Sequence, residues 1–299
     1  MDKNIDKNTS FSQKKVFEYN GKLMDFSLPR VMGILNVTPD SFYDGSSTSP
    51  PEELGGVEAW KRGSGEAGKM IEQGAYIIDI GAVSTRPGAA EVSGEEEKRR
   101  LLPVLQEIRK LYPDVIISID TYRSEIARIA AGEGADMIND ISGGTMDPEM
   151  LSAIVQLKIP YVLMHLQGTP ATMQLNPVYD DVVSEVKEFL LEQALKLENM
   201  GHHRIILDPG FGFGKTVEHN FKLLSRLDEF VSTGYPVLAG LSRKSMINRV
   251  LGTKPSEALN GTTVLNTIAL TKGAGILRVH DVAEALQVVK LVDKVIDGH

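Results

Sequence analysis

The chain has 299 residues, a formal net charge of -8, 42% hydrophobic residues and no cysteine. This length suits one large domain or two small ones. The absence of cysteine excludes disulfides, a thiolate nucleophile and zinc–thiolate sites, and the acidic balance argues against nonspecific nucleic-acid binding.

Residues 1–20 contain basic and polar side chains with no apolar stretch behind them. This pattern does not match a secretory signal, and no apolar run approaches the ~20 residues that a membrane-spanning helix needs. We therefore interpret residues 1–20 as a flexible N-terminal tail and expect a cytoplasmic protein.

Eight short apolar runs alternate with longer amphipathic segments. Continuous runs of this length, rich in β-branched residues, are typical of strands that are buried on both faces. They are Val31–Val37, Tyr76–Gly81, Val115–Asp120, Asp136–Asp140, Pro160–His165, Arg204–Asp208, Pro236–Ser242 and Gly275–His280.

The segments between these runs carry apolar residues at helical spacing. Two of them have start signals: Ser93 with Glu96 matches a capping box, and Asp147 before Pro148 predicts an N-cap. Asp281 is expected to cap the last helix in the same way. The predicted helices include Gly94–Leu111, Pro148–Leu157, Tyr179–Met200 and Val282–Ile296.

Eight strand–helix units in about 265 residues match the count and length of a (β/α)8 TIM barrel, an α/β fold. An open, doubly wound sheet remains the alternative, because periodicity does not distinguish a closed sheet from an open one. The chain has neither a linker-like stretch nor a second apparent core. We therefore predict a single domain over residues 21–299.

Each predicted strand carries a polar side chain at or near its carboxyl end. A single residue of this kind is usually a helix cap or a turn former, but in a barrel these ends share one mouth. Eight strands with the same feature predict one polar pocket. The residues are Asn36, Asp79, Asp120, Asn139, Asp140, His165, Asp208, Ser242, Arg278 and His280.

The types of these side chains indicate the ligand. Carboxylates and amides together suit a flat heterocycle rich in N–H donors. Arg278 and His280 stand two residues apart on one strand and so point to the same face, where with Asn36 they would suit an anion. The pocket is therefore predicted to bind a polar ring and a phosphate side by side.

Two long loops, "TPDSFYDGSSTSPPEE" and "AVSTRPGAAEVSGEE", follow the first two strands. Long loops rich in Pro, Gly and Ser are either disordered insertions or active-site lids, and composition leaves both interpretations open.

The stretch "DPGFGFGKT", Asp208 to Thr216, looks at first like a phosphate-binding loop. A Walker motif, however, requires glycine where Pro209 stands. We interpret the glycines as a sharp turn beside a flat ligand, with Phe213 as an apolar wall. Lys215 receives no phosphate role in this interpretation.

The chain from about Val31 to Val295 resembles the dihydropteroate synthases. The resemblance rests on eight motifs in register: "MGILNVTPDSFYDG", "DIGAVSTRPGA", "SIDT", "MINDISGG", "LMHLQGTP", "ILDPGFGFGKT", "GLSRKSM" and "ILRVHDV". It implies a homodimeric TIM barrel that uses Mg2+. The implied reaction joins 6-hydroxymethyl-7,8-dihydropterin pyrophosphate to p-aminobenzoate, giving 7,8-dihydropteroate and pyrophosphate in folate biosynthesis, with sulfonamides as inhibitors.

The resemblance also implies roles for individual residues. The pterin ring would contact Asp120, Asn139, Met164, Asp208 and Lys244. The pyrophosphate would bind Asn36, Arg278 and His280, with Asn36 also close to the metal. The p-aminobenzoate site and its lid would involve Asp40, Thr85, Arg86, Pro87, Phe213 and Ser245. The implied catalytic residues are Asp120, Lys244, Arg278 and His280.

The implied chemistry passes through a pterin cation, in an SN1-like step, with Asp120 as the negative charge beside it. Two segments depart from the family pattern: Ala82–Val83 replace the usual Gly-Glu, and Ser47–Gly65 is longer than usual. Both affect the loops rather than the reaction. A pterin-binding methyltransferase and a catalytically inactive pterin-binding protein remain the alternatives.

Overall fold

The eight predicted strands form one parallel sheet. The structure is a computed structural model that describes residues 15–38, 57–84 and 92–296. Seven of the strands lie within one residue of their predicted bounds at each end, and β9 is much shorter than predicted. The strands are β3 (Arg30–Asn36), β4 (Ile77–Gly81), β5 (Ile116–Asp120), β6 (Met137–Asp140), β7 (Tyr161–Met164), β8 (Ile205–Asp208), β9 (Leu238–Ala239) and β10 (Ile276–Val279).

The strand order is β8-β7-β6-β5-β4-β3-β10-β9, so each strand neighbours the next in sequence and β10 returns to pair with β3. A parallel bridge between Leu207 and Val237 joins β8 to the start of β9, and the Leu207 N–H donates to the carbonyl of Pro236 at 2.9 Å. This contact closes the sheet. The predicted (β/α)8 barrel is therefore confirmed, and the open doubly wound sheet is excluded.

Helices surround the barrel. Two of them match their predictions residue for residue, and Ser93 caps α2 by accepting from the Glu96 N–H at 3.2 Å. Within the described ranges the helices are α1 (Val57–Glu72), α2 (Gly94–Leu111), α3 (Ser124–Gly132), α4 (Met150–Leu157), α5 (Val182–Asn199), α6 (Val217–Ser225), α7 (Asp228–Val231), α8 (Ser245–Leu251), α9 (Leu259–Thr271) and α10 (Val282–Ile296).

The predicted start of α4 is wrong by two residues, because Asp147 does not cap it. Its carboxylate accepts instead from the backbone N–H groups of Ser124, at 2.7 Å, and Glu149, at 2.9 Å. Asp147 thus ties the turn before α4 to the first residue of α3. The preceding Pro148 lies in the turn, outside the helix.

A hairpin closes the bottom of the barrel. It consists of β1 (Val16–Tyr19) and β2 (Lys22–Asp25), paired antiparallel. Phe17, Met24 and Phe26 are buried against the lowest apolar residues of the barrel interior. The folded domain therefore begins at least at Val16, earlier than the predicted boundary at residue 21, while residues 1–14 lie outside the described part of the chain.

Side chains alternate between the barrel interior and the surrounding helices along every strand. The exterior faces join the helices in one large apolar core. The lowest interior tier is apolar: Met32, Ile77, Ile116, Met137, Val162, Ile206, Leu238 and Ile276. Two residues further along each strand is a mostly polar tier: Ile34, Asp79, Ser118, Asn139, Met164, Asp208, Gly240 and Arg278.

Among the described residues, no helix combines the length and the apolar character that a bilayer crossing requires.

Candidate active site

An arginine between two carboxylates lies at the centre of the barrel mouth. Arg278 donates from Nε to Asp79 Oδ2 at 2.6 Å and from Nη2 to Asp120 Oδ2 at 2.7 Å. Burial disfavours its charge, but Asp79 and Asp120 outweigh that effect and hold the pKa of Arg278 above its usual range. The guanidinium is therefore a fixed cation.

Asp120 ends β5, and its side chain is only 18% exposed. Burial raises its pKa to about 7; Arg278 opposes this rise, and the nearby carboxylates of Asp79, Glu97 and Asp140 add to it. A carboxyl group in this state gains most from a positive charge that forms beside it, because such a charge favours ionisation.

Two further polar side chains line the interior. Asn139 donates from Nδ2 to Asp79 Oδ2 at 3.0 Å, and it is almost fully buried. Asp208, also buried, accepts from the Gly210 N–H through Oδ1 at 2.7 Å. Burial raises the pKa of Asp208. With Asp120, these residues form the acceptor-rich pocket that the sequence predicts for a ring with N–H donors.

An apolar wall stands next to these acceptors. Met164 is buried with Ile141, Leu166 and Met173, and Phe213 packs against this cluster while remaining half-buried. Lys244 places Nζ 4.1 Å from the centroid of the Phe213 ring. Burial and the charge of Arg278 lower the pKa of Lys244 to about 8. A flat ligand would thus meet an aromatic ring and a cation on one side of the pocket.

The "DPGFGFGKT" loop turns sharply at its glycines. Gly210 and Gly214 have φ angles of +71° and +62°, and a Cβ on Gly210 would stand 2.1 Å from the His165 carbonyl oxygen. Side chains are therefore excluded there by both conformation and space. The interpretation of this loop as a turn beside the pocket agrees with its geometry.

Lys215, for which the sequence predicts no phosphate role, lies beneath this loop and is only 3% exposed. Its Nζ donates to the Phe213 carbonyl at 2.8 Å and stands 3.0 Å from His165 Nδ1. Burial lowers the pKa of Lys215 to about 7. Its role in the structure is to hold the loop that carries Phe213.

An ion pair holds the loop after β9 in place. Arg243 has a φ of +55° and forms a bidentate pair with Asp281, at 2.7 and 3.0 Å. Asp281, the residue predicted to cap α10, thus accepts from this arginine with both oxygens of its carboxylate. The pair positions Lys244, the residue before α8, and Ser245, its exposed first residue. A non-glycine residue in the left-handed region is often retained at a functional site.

His280 follows β10 and is held by Ser242. The Ser242 Oγ lies 2.9 Å from His280 Nδ1 and accepts from the His280 backbone N–H at 3.2 Å. A serine hydroxyl can either donate to Nδ1 or accept from it, so these two contacts fix the position of the ring and not its tautomer. Burial and the positive charge of Arg278 hold the pKa of His280 below its usual value.

The carboxyl ends of β3, β4 and β5 bring Asn36, Gly81 and Asp120 into line. A Cβ on Gly81 would lie 3.5 Å from Asp120 Cβ and 3.8 Å from Asn36 Oδ1. Glycine therefore leaves a gap between an amide and a carboxylate. Within the described ranges, no three His, Asp or Glu side chains group as a metal site, so Asn36 would need ligand oxygens to complete one.

Two predicted pocket residues face away from the mouth. Asp140 accepts from Ser142, Gly144 and the Tyr161 hydroxyl, and His165 contacts the ring of Phe189. Each follows directly after an interior residue, so the strand alternation turns it outward. Both side chains stabilise the barrel wall, and the prediction that they reach the pocket is wrong.

The lid residues Asp40, Thr85, Arg86 and Pro87 lie outside the described residues. Both edges of the second loop are nevertheless anchored. Arg100 donates to the Ala82 carbonyl at 3.3 Å, and Arg123 donates to the Val92 carbonyl at 2.6 Å. Glu97 in turn holds Arg123 and accepts from Thr121 at 2.6 Å.

Asp79 is the residue whose importance the sequence reading missed. It was named among the polar strand residues but received no role, because it lies inside β4, two residues before the end of the strand. The alternation of side chains along the strand could have identified it, because Asp79 lies two residues before Gly81 and faces the barrel interior with it. The structure makes it the common partner of Arg278 and Asn139.

Comparisons with known proteins show the family of the chain. Residues 32–280 match the family model described as pterin binding enzyme. The chain is 46% identical over 275 residues to the dihydropteroate synthase of Escherichia coli, covering 91% of this chain and 94% of that relative.

Solved structures agree as well. A Yersinia pestis dihydropteroate synthase with a sulfonamide drug complex superposes with a TM-score of 0.86 at 38% identity, covering 94% of this chain and 99% of that one. A Xanthomonas albilineans dihydropteroate synthase with 4-aminobenzoic acid gives 0.85 at 38% identity, with coverage of 94% and 98%. The chain therefore belongs to the dihydropteroate synthases, within the pterin binding enzyme family.

Proposed function

We propose that the chain condenses 6-hydroxymethyl-7,8-dihydropterin pyrophosphate with p-aminobenzoate, giving 7,8-dihydropteroate and pyrophosphate. The observation that carries this proposal is the mouth itself, where a guanidinium and an acceptor-rich ring pocket share the Asp79 carboxylate. The bound 4-aminobenzoic acid of the Xanthomonas relative and the sulfonamide of the Yersinia relative support p-aminobenzoate as the second substrate.

The first step breaks the bond between the pterin methylene carbon and the pyrophosphate oxygen. Both bonding electrons leave with the oxygen, and the positive charge spreads from the methylene into the ring. Arg278 is suited to stabilise the departing oxygens, since it is charged at every relevant pH and preorganised by two carboxylates. His280 would bind the same group through its ring.

Asp120 would stabilise the cation formed in that step. Its carboxyl group has a raised pKa of about 7, so a nearby positive charge draws it toward the ionised form. The p-aminobenzoate nitrogen then attacks the methylene carbon with its lone pair and afterwards releases a proton, which the departing pyrophosphate can accept. No protein nucleophile is needed, which is consistent with a chain that lacks cysteine.

The pterin ring would lie against Asn139, Asp208 and Met164, with Lys244 reaching it from the side. Phe213 and Ser245 then offer one wall for p-aminobenzoate. The lid residues of the two long loops, Asp40, Thr85, Arg86 and Pro87, complete this site in the proposal by covering the second substrate. Excluding water matters here, because water would trap the cation.

The residues present fit Mg2+ as a cofactor. This ion binds few protein oxygens and is commonly completed by water and substrate phosphates. Asn36, at the end of β3 beside the gap over Gly81, has a suitable amide oxygen. When bound, Mg2+ would supply Lewis-acid stabilisation of the leaving pyrophosphate.

A homodimer is the proposed assembly. The three consecutive helices α8, α9 and α10 expose large apolar side chains, and α9 packs against α10. The exposed residues are Val250, Leu251, Val264, Ile268, Leu291, Val295 and Ile296. Clusters of this kind often mark protein interfaces. A cytoplasmic location is also proposed, in keeping with the absence of cysteine.

The alternative of a pterin-binding methyltransferase is not favoured. It would use Asp120, Asn139 and Asp208 in a similar way but would have no use for the fixed loop that presents Lys244 and Ser245. An inactive pterin-binding protein would not need Arg278 held between two carboxylates.

The test is direct assay of the purified protein with the pterin pyrophosphate, p-aminobenzoate and Mg2+. We expect dihydropteroate and pyrophosphate in equal amounts, with sulfonamide inhibition competitive against p-aminobenzoate. Omitting Mg2+ and adding a chelator provides the control for the metal. Failure to form either product would reject the proposal, and unchanged turnover in the chelator would reject only the metal.

A further inference from the structure

Asp79 is a buried carboxylate with two partners that act on different parts of the substrate. Its side chain is 0% exposed, and a single oxygen, Oδ2, accepts from both Arg278 Nε at 2.6 Å and Asn139 Nδ2 at 3.0 Å. Arg278 belongs to the proposed pyrophosphate site, and Asn139 belongs to the proposed pterin site. One atom therefore links the two halves of the substrate pocket.

The contact with Asn139 determines which end of that amide faces the ligand. An ionised carboxylate only accepts hydrogen bonds, so Asn139 must turn its NH2 group toward Asp79 and its oxygen away. The pocket then offers an acceptor to an N–H group of the ring. A neutral amide in place of Asp79 would accept either end, and this distinction would be lost.

The contact with Arg278 fixes the plane of the guanidinium. Nε is held by Asp79 and Nη2 by Asp120, so the group is restrained at two points. The N–H groups not used in these two bonds remain available for a leaving oxygen. Donors held in place before the reaction stabilise a transition state without the cost of reorganisation.

Asp79 is also poorly suited to a purely structural role. Its other oxygen, Oδ1, is buried without a hydrogen-bond partner among the described residues. An unpaired oxygen on a buried charge costs folding free energy, and a well-packed apolar side chain would avoid that cost. A residue that is expensive to bury and joins two binding groups points to function.

We propose that Asp79 is a positioning residue that presets the pterin pyrophosphate site by orienting the Asn139 amide as an acceptor and fixing the Arg278 plane. The inference rests on the proposed function, since both partners are assigned to that substrate. It does not require Asp79 to touch the substrate.

The experiment is a double-mutant cycle on Asp79 and Asn139. The dissociation constant of 6-hydroxymethylpterin is measured by calorimetry for the unaltered protein, Asp79→Asn, Asn139→Ala and the double variant. If Asp79 acts through Asn139, Asp79→Asn weakens binding about tenfold in the unaltered background and less than twofold in the Asn139→Ala background. Equal losses in both backgrounds, or no loss in the first, would overturn the proposal.

Kinetics test the second half of the proposal. Asp79→Asn should lower kcat about 100-fold, because a neutral amide that can turn either way replaces the charged acceptor that holds Nε of the guanidinium. The KM for p-aminobenzoate should stay within about twofold, since that site contacts neither partner. A kcat that stays within threefold of the unaltered value would contradict the role assigned to Arg278.

Folding is controlled with Asp136→Asn, which neutralises another buried carboxylate paired with an arginine, at the far end of the barrel. This variant should bind 6-hydroxymethylpterin normally. Asp79→Ala provides a second variant and must show the same non-additive loss. If both Asp79 variants fail to fold while Asp136→Asn folds, Asp79 is structural and the proposal is wrong. An unaltered protein that does not bind 6-hydroxymethylpterin would reject the proposed function instead.

Discussion

The two ends of the barrel each contain a buried aspartate paired with an arginine, but the two arginines differ in the hydrogen-bonding capacity that they keep. At the bottom, Asp136 Oδ2 accepts from Lys22 at 2.9 Å, from the Ile117 N–H at 3.0 Å and from Arg109. At the mouth, Asp79 and Arg278 meet at 2.6 Å. The bottom pair joins a hairpin, a helix and a strand.

The two arginines show the difference most clearly. Arg109 also donates to the carbonyls of Pro113, Val115 and Gly134, so its N–H groups are used in hydrogen bonds within the protein. Arg278 donates only to two carboxylates among its described partners. The same chemical pair therefore stabilises the fold at one end and keeps hydrogen-bonding capacity for a ligand at the other, as is typical of TIM barrels.

The sharpest test of this contrast is the pair Arg278→Lys and Arg109→Lys. Lysine keeps the charge but loses the planar fork. Arg278→Lys should lower kcat/KM by about 10³-fold, because a donor to the leaving group is lost, with little change in stability. Arg109→Lys should lower the free energy of unfolding by about 2 kcal/mol and leave kcat/KM of the folded protein unchanged. Urea unfolding and steady-state kinetics on both variants distinguish these effects, and exchanged results would refute the comparison.

The carboxylates give a second, smaller contrast. Asp120→Asn should reduce kcat about 100-fold and leave the dissociation constant of 6-hydroxymethylpterin within about threefold, because the charge matters only when the cation forms. Asp136→Asn should cost about 3 kcal/mol of unfolding free energy and no turnover, because it leaves Lys22 and Arg109 without their shared anion. An Asp120→Asn variant with full turnover and a raised KM would remove the cation-stabilising role.

The pH dependence of the reaction follows from the same carboxyl group. The pKa of Asp120 is raised to about 7, so its ionised fraction falls as the pH decreases through 7. Turnover should therefore rise with pH on the acid side, reaching tenfold per pH unit well below 7. Measurements of kcat from pH 5 to 8 on the unaltered protein and on Asp120→Asn check this, since the variant should lose that acid limb.

The smallest expected effect concerns the loop that carries Phe213. Lys215→Met fills a similar volume but removes the donor to the Phe213 carbonyl. The KM for p-aminobenzoate should rise about threefold, which is under 1 kcal/mol, with kcat little changed. Lys22→Met, at the bottom of the barrel, is the matched control and should leave this KM unaltered. A larger loss of kcat than of KM in Lys215→Met would give Lys215 a direct part in the chemistry.

Much of the fold could be predicted because a buried parallel strand is a short apolar run with turns on both sides. Seven strand bounds were correct to one residue for this reason. The hairpin at the bottom was missed, since two four-residue strands carry too few alternating residues to stand out. The cap predicted at Asp147 was wrong because its carboxylate accepts instead from the Ser124 N–H at the start of α3.

For the candidate site, some residues were placed correctly by the sequence and others were not. Alternation along a strand decides which polar residues enter the barrel, and Asp120, Asn139, Asp208 and Arg278 all lie on the interior face. The prediction for His165 was wrong, because this residue directly follows an interior residue and the alternation turns its side chain away from the mouth. It contacts Lys215 and the ring of Phe189 instead. The lid residues lie outside the described residues, so their roles stay predictions.

By itself, the sequence determined the eight strand–helix units and the kinds of groups at the carboxyl ends of the strands, because strand length, alternation and motif order are local properties of the chain. The tertiary structure decided which of these groups act together. Residues far apart in sequence, such as Asp79 and Arg278, become partners only when β10 pairs with β3 and brings their side chains into one dry interior. The loop that resembled a phosphate site is a turn beside the pocket, and the cation proposed to bind the phosphates, Arg278, lies on β10, outside that loop.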